Sequence, residues 1–142
     1  MLTDKFGEKI TTSELLAAIL ALVPDFARIA GREKVHTLFG ELRAYHPILR
    51  EFDGFDTRWP QVWSEKLDEA FRWLSLSRMI KQDGEFHAFG ITQDATEIVK
   101  EKILSRFTTE QILDAREVAR IISERIVCKC DWCRTISKSL RM

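Results

Sequence analysis

The side chains with the clearest chemical role are three cysteines near the end of the chain: Cys128, Cys130 and Cys133. Their C-x-C-x-x-C spacing allows three thiols to face one ion, and the neighbouring Lys129 and Arg134 favour thiolates. Structural zinc takes four ligands, so the fourth would come from one of the three histidines or from a second copy of the chain. Zinc is the cofactor that this motif would hold, and an unliganded tail and a reversible disulfide are the alternatives.

A second spacing with chemical meaning is Glu33-x-x-His36, which puts a carboxylate and an imidazole on one helical face. Carboxylate-bridged di-metal sites need two copies of this motif, and neither His46 nor His87 follows a glutamate by three residues. We therefore expect His36 to be exposed or at the edge of the core. The sequence contains no G-x-S-x-G, no glycine-rich phosphate loop and no H-E-x-x-H, and we predict that the protein is not an enzyme.

The chain of 142 residues has a net charge of zero, but the charge is unevenly distributed. Residues 128–142 carry four bases against one acid, so this tail is basic and residues 1–127 are slightly acidic. The length predicts one domain over residues 1–127, followed by the basic cysteine-containing tail. The longest apolar run, Leu15 to Val23, is too short to cross a membrane. Three cysteines and no signal-peptide pattern indicate a cytoplasmic protein.

The first half of the chain predicts helices with recognisable ends. The first helix opens at Thr11, where Glu14 completes a capping box, and it is apolar enough to be largely buried. Pro24 ends this helix, and further helices are expected over residues 25–30 and 32–44. Residues 48–55 are expected to be a short extended or irregular segment.

The stretch from Trp63 to Val99 sets the expected architecture. Apolar residues recur at helical spacing between residues 63 and 74, and Ser64 is a suitable N-cap. Asp83-Gly84 supplies the positive-φ residues of a type I′ turn between two apolar segments, which predicts a β-hairpin. Thr92 is placed to cap the helix that follows, which continues to about Phe107.

This order resembles the wing half of the MarR- and PadR-like winged-helix regulators. The residues that carry the resemblance fall within positions 63–99: Leu67, Ala70, Leu74, Met79-Ile80, Asp83-Gly84, Phe89, Ile91-Thr92 and Ala95. Arg78 and Ala95 stand where the family usually has glycine. The resemblance implies a mainly α fold with one β-hairpin, a winged-helix-like domain with flanking N- and C-terminal helices. It also implies a regulatory role and dimerisation through terminal helices.

The last helix, residues 109–126, is predicted to begin with a capping box formed by Thr108 and Gln111. Apolar residues recur along it at intervals of three and four: Ile112, Ala115, Ala119, Ile122 and Ile126. Such a seam either packs on its own domain or meets its twofold copy in a homodimer. The resemblance favours the homodimer.

The candidate contacts to DNA or to a protein partner are basic residues of the helix before the hairpin, the hairpin and the tail: Lys66, Arg72, Lys81, Lys129, Arg134, Lys138 and Arg141. A helix that enters the major groove needs basic and amide side chains, because phosphate neutralisation supplies much of the affinity. The polar face of this helix offers three acids (Glu65, Asp68 and Glu69) against two bases. A protein partner is therefore at least as well supported as DNA.

The aromatic side chains around this helix, among them Trp59, Trp63, Phe71 and Trp73, are expected to anchor the core. If Trp59 or Trp73 is exposed instead, the cluster becomes a partner-binding surface. Two hypotheses follow from these patterns. The first is a non-enzymatic winged-helix regulatory protein that acts through a protein partner or DNA. The alternative is a metal- or redox-sensing module that uses the C-x-C-x-x-C tail.

Overall fold

A computed structural model describes residues 2–23, 32–52, 63–82 and 89–126. The α-helices in these ranges are α1 (Thr12–Ala21), α2 (Arg32–Leu42), α3 (Glu65–Leu76), α4 (Gln93–Lys102) and α5 (Thr109–Arg125). The strands are β1 (Ile80–Gln82) and β2 (Phe89–Ile91), and short 3-10 helices cover Pro47–Glu51 and Leu104–Arg106. The prediction of a mainly helical protein is confirmed. The predicted helix over residues 25–30 lies outside the described residues.

Helix α1 is the centre of the molecule. Every residue from Leu15 to Ala21 is buried, because the helix is apolar on all sides and other elements must cover it. It packs against α3, α4, α5 and β2. At its start the Thr11 and Glu14 side chains accept each other's backbone N–H at 3.1 and 3.0 Å, which confirms the predicted capping box.

Arg106 fastens the N-terminal segment to this centre. Its guanidinium donates to Asp4 Oδ2 at 2.7 Å and to the Glu14 carboxylate at the start of α1. Burial raises the pKa of Asp4, but the hydrogen bonds from Arg106 and from the backbone of Glu8 and Phe6 outweigh it and leave the pKa below its usual value. The buried Asp4 is therefore held as an ion pair that links the beginning of the chain to residue 106.

The segment after α2 differs from its prediction. Residues Pro47–Glu51 form a 3-10 helix rather than an extended or irregular segment. Asp114 of α5 is the reason, because its Oδ2 accepts the Ile48 N–H at 3.0 Å and its Oδ1 lies 2.7 Å from His46 Nδ1. This carboxylate satisfies a backbone donor at the beginning of the short helix.

The two strands pair antiparallel, with a register fixed by their apolar residues. The pairs are Ile80 with Ile91, Lys81 with Gly90 and Gln82 with Phe89. Ile80 and Ile91 are both buried, and β2 packs on α1. A two-residue turn at Asp83-Gly84 would set Gln82 opposite Glu85, whereas the structure sets Gln82 opposite Phe89. The predicted turn itself lies outside the described residues.

Helix α3 ends in a Schellman motif with a strained residue. The Met79 N–H donates to the Leu74 carbonyl at 3.0 Å and the Arg78 N–H donates to the Ser75 carbonyl at 3.1 Å. Arg78 adopts the left-handed conformation that this motif requires, with φ of 58°. The position thus keeps the backbone geometry of glycine although the residue has a side chain.

Replacing Arg78 with glycine should stabilise the protein. Glycine removes the strain of the left-handed backbone, but it also gives the unfolded chain more conformational entropy. The first effect is the larger in free energy, so we expect the free energy of unfolding to rise by about 0.5–1 kcal/mol. Urea denaturation measures this change. Ser77→Gly is the matched control, because Ser77 has a φ of −81° and gains nothing from glycine. If the Arg78→Gly protein were no more stable than the Ser77→Gly protein, the left-handed conformation of Arg78 would not be a source of strain.

Candidate partner-binding surface on α3

Helix α3 has one face buried and one face open to solvent. The buried stripe predicted from the spacing is formed by Leu67, Ala70, Phe71 and Leu74. Among the described elements, α1 and α3 are the pair that packs most extensively. Ser64 is the N-cap, and its Oγ accepts the Leu67 N–H at 3.4 Å. The stripe fixes the rotation of α3 about its axis and therefore determines which side chains point outward.

The beginning of α3 is fastened to α2 by His36. The Ser64 backbone N–H donates to His36 Nδ1 at 3.0 Å, and the imidazole stacks on Trp63 with ring centroids 3.9 Å apart. The ring has no exposed surface, so the expectation of an exposed or core-edge histidine is wrong. Burial lowers the pKa of His36 to about 4, with Asp68 opposing the shift, so the ring is neutral at pH 7.

The open face of α3 combines large apolar side chains with a balanced set of charges. Its exposed residues are Glu65, Lys66, Glu69, Arg72, Trp73 and Leu76. Trp73 is 63% exposed and Leu76 is 81% exposed. Arg72 Nη2 lies 3.3 Å from Asp68 Oδ2, so the carboxylate of the preceding turn already faces this guanidinium. The face therefore offers apolar area without a surplus of positive charge.

Trp73 lines two open clefts. The outer cleft, about 210 Å³, is lined by Trp73 with Glu69, Arg72 and Leu76. The inner cleft, about 110 Å³, is lined by Trp73 together with seven residues of α3 and of the elements beside it: Ser13, Glu14, Ala17, Leu74, Ser77, Met79 and Ile103. Apolar walls with an acid and a base at the rim suit the apolar side chains of a partner.

The structure places only some of the predicted contact residues on this face. Lys66 and Arg72 lie on it. Lys81 lies in β1 opposite Gly90. The tail residues are outside the described part of the chain: Cys128, Lys129, Cys130, Cys133, Arg134, Lys138 and Arg141. Within the described part, no group of three or more His, Cys, Asp or Glu side chains could hold a metal ion.

The apolar seam of α5 faces the chain's own core. Ala115, Ala119 and Ile122 have no exposed surface, and the partly buried Ile112 and Ile126 pack on the same core. Helix α5 covers α1 and the 3-10 helix after α2. Much of the seam is therefore already covered within one chain, and the twofold interface through these five residues stays a prediction.

The exposure of Trp73 corrects the expectation that it anchors the core. At 100° per residue, Trp73 lies about 120° from Leu67 around the helix and Leu76 lies about 180° from it. The spacing that predicts the buried stripe therefore also identifies these two residues as outward-facing. Phe71 is buried as expected, and Trp63 is half-buried against His36. Trp59 lies outside the described residues.

Comparison with known protein families, curated proteins and solved structures gives no match to this chain. Among the described helices, none has the length and apolar character needed to cross a membrane.

Truncating an exposed and a buried aromatic side chain on α3 should reduce the stability of the protein by very different amounts. Because Trp73 is largely exposed, Trp73→Ala should lower the free energy of unfolding by less than about 1 kcal/mol. Phe71→Ala removes a fully buried ring and should lower it by about 3–5 kcal/mol. Urea denaturation of both variants provides the comparison. Equal losses would assign Trp73 to the core and remove it from the candidate surface.

Proposed function

We propose that this chain is a non-enzymatic regulatory protein with a winged-helix-like domain, which binds a protein partner through the open face of α3. The order of α3, β1, β2 and α4 supports the winged-helix-like assignment, because it matches the helix, wing strands and following helix of that domain. The proposal rests on the exposure of Trp73 and Leu76, which are three residues apart on a helix with hydrogen bonds that hold both of its ends in place.

The charge of the face favours protein over DNA. The exposed charged residues of α3 are two acids and two bases, Glu65 and Glu69 against Lys66 and Arg72. Phosphate contacts would require net positive charge, and the carboxylate of Asp68 lies beside the Arg72 guanidinium. A helix of this composition would meet a polyanion with as much repulsion as attraction.

The partner that fits this face is the apolar side of an amphipathic helix. Partner helices bind grooves through apolar residues at intervals of three and four, and the two clefts that Trp73 lines provide places for such side chains. Glu69 and Arg72 at the rim of the outer cleft would pair with flanking charges of opposite sign. Tryptophan and arginine are also the residues that most often dominate binding energy in protein interfaces.

Binding should depend on Trp73 and not on other exposed apolar residues. We expect Trp73→Ala to weaken binding to a purified helical partner at least about 30-fold, since a central interface tryptophan contributes about 2 kcal/mol or more. Leu113→Ala on α5 is the matched control, because Leu113 is 59% exposed and lies on a different helix. Isothermal titration calorimetry gives both dissociation constants. Equal weakening by both substitutions, or by neither, would contradict the proposed surface.

The protein should not use α3 to bind DNA. In fluorescence anisotropy with duplex DNA, any affinity of the full chain should be the same for the wild type and for the Lys66→Ala, Arg72→Ala double variant. Titrations at several salt concentrations measure the number of phosphate contacts, since each contact contributes about one unit to the salt slope. If the salt slope of DNA binding were smaller by about two units in the double variant, Lys66 and Arg72 would contact phosphates, and the proposal of a protein partner for α3 would be overturned.

A further inference from the structure

One histidine joins α2 to the first turn of the candidate binding helix. His36 Nδ1 accepts the backbone N–H of Ser64, and the Ser64 side chain in turn accepts the Leu67 N–H. Trp63 covers one face of the imidazole, with the two rings inclined by only 7°. A continuous set of contacts therefore runs from the middle of α2 to the N-cap of α3.

This arrangement requires a neutral ring. Nδ1 can accept a hydrogen bond only when it carries a lone pair, so the proton of neutral His36 resides on Nε2. Protonation would place an Nδ1–H opposite the Ser64 N–H, and two donors would face each other across 3.0 Å. Because the ring is fully buried, water does not hydrate the resulting charge. His36 Nε2 is also buried, and it has no hydrogen-bond partner among the described residues.

The charged groups around the ring do not remove this conflict. Asp68 of α3 and Glu33 of α2 favour the protonated form, whereas Arg32 of α2 opposes it. Arg32 is held in place, since it donates to Ser75 Oγ at 2.9 Å and lies over the Phe71 ring. Burial is the largest single influence on the ring, and it lowers the pKa of His36 to about 4.

We propose that His36 is an acid-sensitive latch, which holds the first turn of α3 to α2 when neutral and releases it when protonated. This regulation rests on the proposed function of α3, because it controls the helix that carries Trp73. The latch itself is a property of the fold and can be measured without a partner.

The direction of the pH dependence follows from the difference between the folded and unfolded states. An unfolded histidine has an ordinary pKa of 6.5, and folding lowers that of His36 to about 4. Stability contributed by the neutral ring is therefore complete above pH 6.5 and is lost as the pH falls towards 4. The folded ring becomes protonated at the lower end of this range, so we expect the latch to be released there.

Nuclear magnetic resonance over pH 7 to 4 tests the latch in the full chain. We expect the His36 ring to titrate below pH 5, together with at least a tenfold loss of hydrogen-exchange protection at the amides of Ser64 and Leu67, after correction for intrinsic exchange. The Ala95 amide is the internal reference, because Thr92 caps α4 without a histidine. A ring that titrates near 6.5 with Ser64 still protected would overturn the latch. Loss of protection at Ser64 and Ala95 together would overturn it as well, since that is global unfolding.

Two variants separate the latch from other effects of acid. His36→Phe keeps an aromatic ring beside Trp63 but has no acceptor, so the Ser64 amide should be poorly protected already at pH 7. His46→Gln should leave the wild-type transition unchanged, because the His46 imidazole pairs with Asp114 of α5. A persistent transition in His36→Phe would refute the assignment. Trp73→Ala should leave the titration of the His36 ring unchanged. The effect of that substitution on partner binding therefore tests the proposed function and not the latch.

Discussion

The burial of α1 on all sides is the constraint on which the rest of the fold depends. Seven consecutive residues, Leu15–Ala21, are withdrawn from water, and a helix can achieve this only if neighbours surround it completely. Helices α3, α4 and α5 and strand β2 provide this cover. Each surrounding helix gives one apolar stripe to the centre, and its opposite face remains available for solvent or for a partner.

The open face of α3 is a direct result of this arrangement. The stripe against α1 fixes the helix in rotation, His36 fixes its first turn, and the Schellman motif at Arg78 fixes its end. Trp73 and Leu76 are therefore presented on a rigid support rather than on a loop. A surface on a rigid support loses little conformational entropy on association, so the binding we propose would need only a few anchoring side chains.

Local features of the fold could be predicted from the sequence, and long-range contacts could not. The capping boxes at Thr11 and Thr108 and the cap at Thr92 involve residues only three positions apart, so side-chain type identifies them. The contact of His36 with Ser64 spans 28 residues. Periodicity has a similar limit: it identified the apolar seam of α5, but the same spacing describes a helix that covers its own core and one that meets a second copy.

The pairing of Asp4 with Arg106 has a consequence for the time that the protein remains folded. These residues are 102 positions apart in the chain, so bringing them together early would require closing a long loop with little reward. The pair should therefore form after the transition state for folding, when α1 and its neighbours are already assembled. Interactions made that late slow unfolding and leave the folding rate nearly unchanged, so we expect this clamp to lengthen the lifetime of the native state.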